Sequence, residues 1–193
     1  IRRPPRSTPK PSSAASDVYK RQFQDSLPIS SDALLRQLDS WQILYKRYDH
    51  DPLRTVEEAK RIQDKFLPVY ENNGHIKNLY LRDKKKRNVL LVAEQDAKIN
   101  LKALTKTIGF SNLSFGSPER LMQNLGVRAG AVTPLSMITG VHNNVSLFLD
   151  SNLKTCSKIF VHPLVNDRTL EITMVDLKKF LRLVGVTFNW IDI

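Results

Sequence analysis

Apolar and polar positions along the chain follow two rhythms. Leu34, Leu35, Leu38 and Trp41 recur at helical spacing behind a serine, Ser30 or Ser31, that can cap them. Thr55 and Glu58 form a capping box that opens another helix, after an extended piece, "RYDHDPLR", broken at Pro52. Asn100 and Ser117 cap helices that end at Gly109 and Gly126, the second with Pro118 in its first turn. "MVDLKKFLRLVG", from Met174, predicts a last helix. Lys77–Arg82 and Asn88–Glu94 alternate as strands do, joined by a dense basic turn. "VSLFLD", "KIFVHPL", "TLEITM" and "TFNWIDI" predict further strands. Strands and helices mix without a strict βαβ beat, which predicts an α+β (mixed α/β) domain with a mixed sheet rather than a doubly wound one.

Composition narrows this picture. The chain has 193 residues, 41% hydrophobic and 25% charged, which suits one globular domain with a sizeable core. No apolar run reaches the roughly 18–20 residues of a membrane span. A single cysteine, Cys156, rules out an internal disulfide framework. A cytoplasmic setting is the resulting expectation.

The net charge is +11, of which residues 1–22 supply +5 together with four of the ten prolines. Such a segment cannot bury a core and is expected to be disordered. It resembles a translated sequencing-adapter read; the other reading is a basic tail for nucleic acid. The folded domain is expected over residues 27–193. Its remaining +6 favours a polyanionic partner.

Several chemistries find no pattern here. There is no Walker phosphate loop and no Rossmann glycine fingerprint. His50, His75, His142 and His162 lack metal-ligand spacing with one another. Cys156 is either a nucleophile with His162 or half-buried packing before a strand. "SFGSPE" has one glycine too few for a nucleophile elbow, so Ser117 reads as a helix cap.

Six strings, in order, change the reading: "TVEEA" from Thr55, "GHIKNLYLRDKKKRN" from Gly74, "LSFGSPERL" from Leu113, "LGVRAGAVTPLSMI" from Leu125, "FLD" from Phe148 and "VHPLVNDRTLEI" from Val161. Together they resemble the YbaK/ProX family, free-standing relatives of the insertion editing domain of bacterial prolyl-tRNA synthetase. "NLYLRDKKKR" is most similar to the alanyl-tRNA(Pro) deacylase branch. The resemblance implies a single domain with a mixed, mostly antiparallel sheet flanked by helices. It implies a hydrolase acting in trans on mischarged tRNA(Pro), with alanine, cysteine or serine as cargo, or else a catalytically idle tRNA-binding module. A pocket built for proline cannot strongly exclude a smaller side chain, because a missing methylene is worth only ~1–3 kcal/mol. A second, tighter pocket completes the double sieve.

The resemblance also assigns roles. Lys77 matches the lysine of the family's "K-N" motif; at the substrate mouth it would hold a phosphate or stabilise charge on the ester oxygen. Asn78, its neighbour, lies on the opposite strand face. His162 would orient the substrate or terminal ribose, or be a satisfied core histidine. Asn166 and Thr169 would bond their own backbone or the ligand. Asp150 would bind the substrate amine or make a turn. Gly130 and Ala131 would bring backbone N–H groups to the ester, and Gly116 and Ser117 would form the other wall, or both loops are ordinary turn and cap chemistry. Lys84, Lys85, Lys86 and Arg87 in the hairpin turn, with Lys98, Lys102 and Lys106 on one helix face, would meet phosphates of the tRNA(Pro) acceptor stem and 3′ end. Prolyl-tRNA synthetase is a further expected partner. No metal, no organic cofactor, no membrane and no side-chain general base are expected. Arg54, and a lengthened "IQDKFLPVYENNGH", depart from the family pattern.

Overall fold

The computed structural model describes residues 24–52 and 73–193. The predicted Thr55 helix, Arg54, most of the lengthened segment and residues 1–22 lie outside these. Among the described residues there are five α-helices: α1 Ser31–Ser40, α2 Leu101–Ile108, α3 Pro118–Leu125, α4 Met137–Gly140 and α5 Met174–Val184. The nine strands are β1 Tyr45–Asp49, β2 Asn73–Gly74, β3 Ile76–Arg82, β4 Asn88–Glu94, β5 Ser114–Phe115, β6 Val145–Asp150, β7 Lys158–Val161, β8 Arg168–Thr173 and β9 Phe188–Ile191.

Local chemistry sets the helix ends. Ser30 Oγ accepts from Ala33 N at the start of α1. Asn100 Oδ1 accepts from Lys102 N and Ala103 N at α2. Ser117 and Thr173 cap α3 and α5 in the same way. Each such cap satisfies an orphan backbone donor, typically worth ~1 kcal/mol.

The strands form two sheets. One has the order β1–β8–β7–β2, the other β5–β3–β4–β6–β9. β1–β8, β7–β8, β3–β4 and β3–β5 pair antiparallel, while β2–β7, β4–β6 and β6–β9 pair parallel. The mixed α+β architecture is as expected, but the strands divide between two sheets rather than one. The chain passes from the first sheet to the second at His75, between β2 and β3.

The main core lies between the sheets. Leu34 and Leu38 of α1, Leu90 and Val92 of β4, Ile159 and Val161 of β7, Leu170 and Ile172 of β8, and Phe180 of α5 meet there. A smaller core of Leu81, Val89, Leu91, Leu104 and Phe148 lies under α2, on the other face of the second sheet. β4 therefore buries side chains on both faces, which is why "NVLLVAE" reads as a continuous apolar run. No helix among the described residues is long and apolar enough to cross a membrane.

Candidate active site

The parallel pairing of β2 with β7 does the positioning. Asn73 lies opposite Lys158 and Gly74 opposite Ile159. Gly74 is needed for the close approach: a Cβ there would come 3.0 Å from both Cys156 Sγ and Ile159 Cγ2. The next step in register brings the His75 ring onto Phe160, stacked at 4.8 Å between centroids. Lys77 follows two residues after His75, in β3 of the second sheet, and His162 follows two residues after Phe160, just past β7.

Lys77 is half-buried and its Nζ donates to the Ala97 carbonyl. An ammonium has three N–H groups, so this bond orients it without exhausting it. Asn78 points to the opposite face of β3. Its Oδ1 is buried and meets no hydrogen-bond partner among the described residues. An unmet buried acceptor costs ~1–3 kcal/mol, which a bound donor would recover.

His162 follows the last residue of β7. Its Nδ1 lies 3.1 Å from the Arg168 carbonyl. Burial pushes its pKa below the ordinary 6.5, and His50 pushes the same way, against the Arg168 carbonyl and Asp167. The ring is neutral at pH 7, with Nδ1 carrying the hydrogen and Nε2 left as an acceptor. The "PLVND" loop then turns back to β8. Leu164 in it is buried at φ 66°, a conformation bulky residues rarely adopt. Strain of this kind, ~1–3 kcal/mol, persists where the surroundings over-determine it. Here Arg168 anchors the loop base, its buried guanidinium 2.7 Å from Asp32 and 3.4 Å from Asp167.

Thr169, the next residue of β8, is buried and lies 2.9 Å from His50 Nε2. The sequence reading missed His50, whose ring centroid is 6.3 Å from that of His162. One signal was available: both histidines stand just past a strand end, with a proline one or two residues on, in "HDP" and "HP". Asn166 lies half-buried in the same loop.

Other expected residues do different work. Asp150 is fully buried, and its two oxygens accept from Glu94 N and Asn152 N. These bonds brace the ends of β4 and β6 and fit the turn reading of Asp150. Gly116 N donates to the Tyr80 carbonyl, and a Cβ there would lie 2.3 Å from the Tyr80 ring. Packing, rather than substrate, accounts for that glycine. Ser117 caps α3. Gly130 has φ 86°, which favours glycine. Ala131 is buried and its N–H donates to the Arg128 carbonyl, so that N–H is already engaged rather than offered to an oxyanion. Cys156 packs half-buried against Gly74, and burial, with Glu94 and Asp150 nearby, pushes its thiol up, away from nucleophile chemistry. Among the described residues no three His, Cys, Asp or Glu side chains gather as a metal cage requires.

The basic residues form a separate surface. Lys84, Lys85 and Lys86 are exposed. Arg87 is tied to the buried Asp83 at 2.6 Å and lies 4.1 Å from the centroid of the Phe110 ring. Lys102 and Lys106 line a groove of about 480 Å³ with Leu101, Thr105, Asn112 and Leu113. The expectation that Lys98 shares their helix face is corrected: it precedes the Asn100 cap and lies outside α2.

This fold and these motifs define a known class. Residues 50–180 match the model of the aminoacyl-tRNA editing domain, and the chain belongs to that family. Among its relatives is the Prolyl-tRNA editing protein ProX of Acetoanaerobium sticklandii, 37% identical over 166 residues, covering 85% of this chain and 98% of that protein. The prolyl-tRNA synthetase associated domain-containing protein 1 of Danio rerio is 36% identical, covering 69% of this chain and 71% of that protein. Among solved structures, one described as a proposed trans-editing enzyme for prolyl tRNA synthetase superposes with a TM-score of 0.57 at 19% identity, covering 90% of this chain and 94% of that one. That likeness concerns the fold.

Proposed function

We propose that residues 27–193 form a trans-acting deacylase that hydrolyses mischarged tRNA(Pro), and that alanine is the amino acid it removes. One observation carries this reading. In a chain of the aminoacyl-tRNA editing family, the motif lysine Lys77 lies two residues past His75, whose ring stacks on Phe160, itself two residues before the motif histidine His162. The relative named as a prolyl-tRNA editing protein matches over nearly its whole length, which supports tRNA(Pro) as the substrate. The string "NLYLRDKKKR" supports alanine.

The chemistry asks little of the protein. Water attacks the ester carbonyl, negative charge builds on its oxygen, and the carbon–oxygen bond to the ribose breaks. The ribose oxygen takes the proton, leaving free amino acid and tRNA. Lys77 stabilises the developing charge or holds the 3′-terminal phosphate. His162 Nε2 offers its lone pair to the substrate or to the terminal ribose. The Gly130 turn is offered to the aminoacyl group, Asn166 and Thr169 lie on the loop side, and Asn78, on the face of β3 opposite Lys77, serves backbone geometry rather than substrate.

The acceptor stem follows the second sheet. β3 runs from Lys77 to the Lys84–Arg87 turn, a span of about 20 Å at strand rise. Lys102 and Lys106 on α2, with Lys98 just before its cap, would add further phosphate contacts. Such contacts position RNA without reading its sequence. Prolyl-tRNA synthetase, the source of the mischarged tRNA, is the proposed partner.

The test is a deacylation assay with Ala-, Cys-, Ser- and Pro-tRNA(Pro), using wild type and Lys77→Ala. Hydrolysis of Ala-tRNA(Pro), lost in the variant, is expected. Preference for the cysteinyl or seryl ester would move the cargo. Binding with no hydrolysis of any ester would overturn the enzyme.

A further inference from the structure

We infer that His50 is a positioning residue of this site: acting through Thr169, it makes the strand-end cluster accept hydrogen bonds rather than donate them, and so suits it to the α-ammonium of an aminoacyl ester. The inference rests on the editing reading above.

The geometry assigns the protons. His50 N donates to the Asp167 carbonyl, extending the β1–β8 pairing by one residue and holding His50 beside the loop. Its ring Nδ1 lies 2.9 Å from the Asp51 carbonyl. A carbonyl only accepts, so Nδ1 carries the hydrogen. In the neutral ring Nε2 is then bare, and the Thr169 hydroxyl 2.9 Å away donates to it. With its hydrogen committed to His50, Thr169 Oγ1 presents only lone pairs elsewhere.

His162 repeats the pattern. Its Nδ1 is held by the Arg168 carbonyl at 3.1 Å, so its Nε2 also presents a lone pair. Val161 pairs with Leu170, so the next step of the β7–β8 register sets His162 beside Thr169. Two acceptors thus stand on neighbouring strands, with each donor hydrogen turned to backbone or to His50. Lys77 stands two residues past His75, which stacks on Phe160, two residues before His162. The two acceptors suit an ammonium, and Lys77 supplies a cation for the ester oxygen or phosphate. Without His50 the threonine hydroxyl rotates, and its hydrogen can meet the ammonium it should receive.

The measurement is single-turnover deacylation of Ala-tRNA(Pro) by full-length wild type, His50→Ala, His50→Gln, Thr169→Val and the double variant His50→Ala/Thr169→Val. Melting temperatures are recorded alongside. We expect His50→Ala to lose about 10–100-fold in rate, the scale of a misplaced reacting group. His50→Gln, whose amide oxygen can still accept from Thr169, should recover most of that. In the Thr169→Val background His50→Ala should add nothing further, since coupled residues are not additive. Full activity in His50→Ala, or losses that simply add, overturns the inference while leaving the editing reading intact. A wild type that hydrolyses no aminoacyl-tRNA overturns the editing reading first. Nitrogen-15 NMR of the wild-type imidazoles is independent of both activity and variant folding. Hydrogen on Nδ1 of His50 is expected, and hydrogen on Nε2 overturns the inference.

Discussion

The two ends of strand β3 carry positive charge of different kinds. At one end Lys77 is half-buried and held by the Ala97 carbonyl. At the other, Lys84, Lys85 and Lys86 stand in solvent on a turn that Asp83 organises. Asp83 accepts from Arg87 N, Nε and Nη2, and Lys86 takes φ 63° to close the loop. One end has a fixed cation among fixed dipoles, the arrangement that stabilises developing charge. The other has charge without a fixed target, which attracts a polyanion at long range and is screened by salt. Chemistry is therefore expected to depend on the first end and docking on the second.

The largest effect should come from breaking the first end. Lys77→Ala should lower the deacylation rate about 10²–10³-fold, as removal of one oxyanion donor does, with an unchanged melting temperature. A rate within about twofold of wild type would erase the distinction between the two ends.

Next is the scaffold of the second end. Asp83 is buried, and although burial alone would raise its pKa, the Arg87 and Ser111 hydrogen bonds hold its carboxyl below the usual range. Asp83→Ala should cost about 1–3 kcal/mol in urea unfolding by stranding those donors, with little change in rate per folded molecule. Unaltered stability would mean that the turn does not need its carboxylate.

A titration separates the ends more finely. The folded-state pKa of His162 lies below its unfolded value near 6.5. Above about pH 6.5 neither state holds the proton and stability is full. As pH falls below that value the unfolded chain takes up a proton that the folded chain refuses, so stability drops, by at most ~1.4 kcal/mol per pH unit. His162→Gln should flatten this limb of a pH series of melting temperatures, and an unchanged limb would place its origin elsewhere. The smallest effect belongs to Lys102→Ala/Lys106→Ala. Its binding to tRNA should show a salt slope shallower by roughly 1.5, from two lost phosphate contacts, with the cleavage step untouched. A changed cleavage rate would mean that the groove takes part in the chemistry.

The local features could be read directly along the chain. The caps at Ser30, Asn100, Ser117 and Thr173 act within three residues of themselves, and the 88–94 run is apolar on both faces because both faces are covered. Lys77 and His162 are proposed from motifs, not from any local signal of their own. His50 was not found, because its partner Thr169 is 119 residues away. Asp150 was ambiguous for the same reason: its bond to Asn152 is a local turn, but its bond to Glu94 spans 56 residues.

Sequence alone determined where helices begin and end, where the hairpin turns and which segments are apolar enough to be strands, since each depends on neighbours a few residues apart. Tertiary structure decided that the strands split into two sheets, that β2 runs beside β7, and that His50 meets Thr169 beside His162. Strand pairing is set by contacts across long loops, and a one-residue slip would turn every side chain in that cluster to the other face.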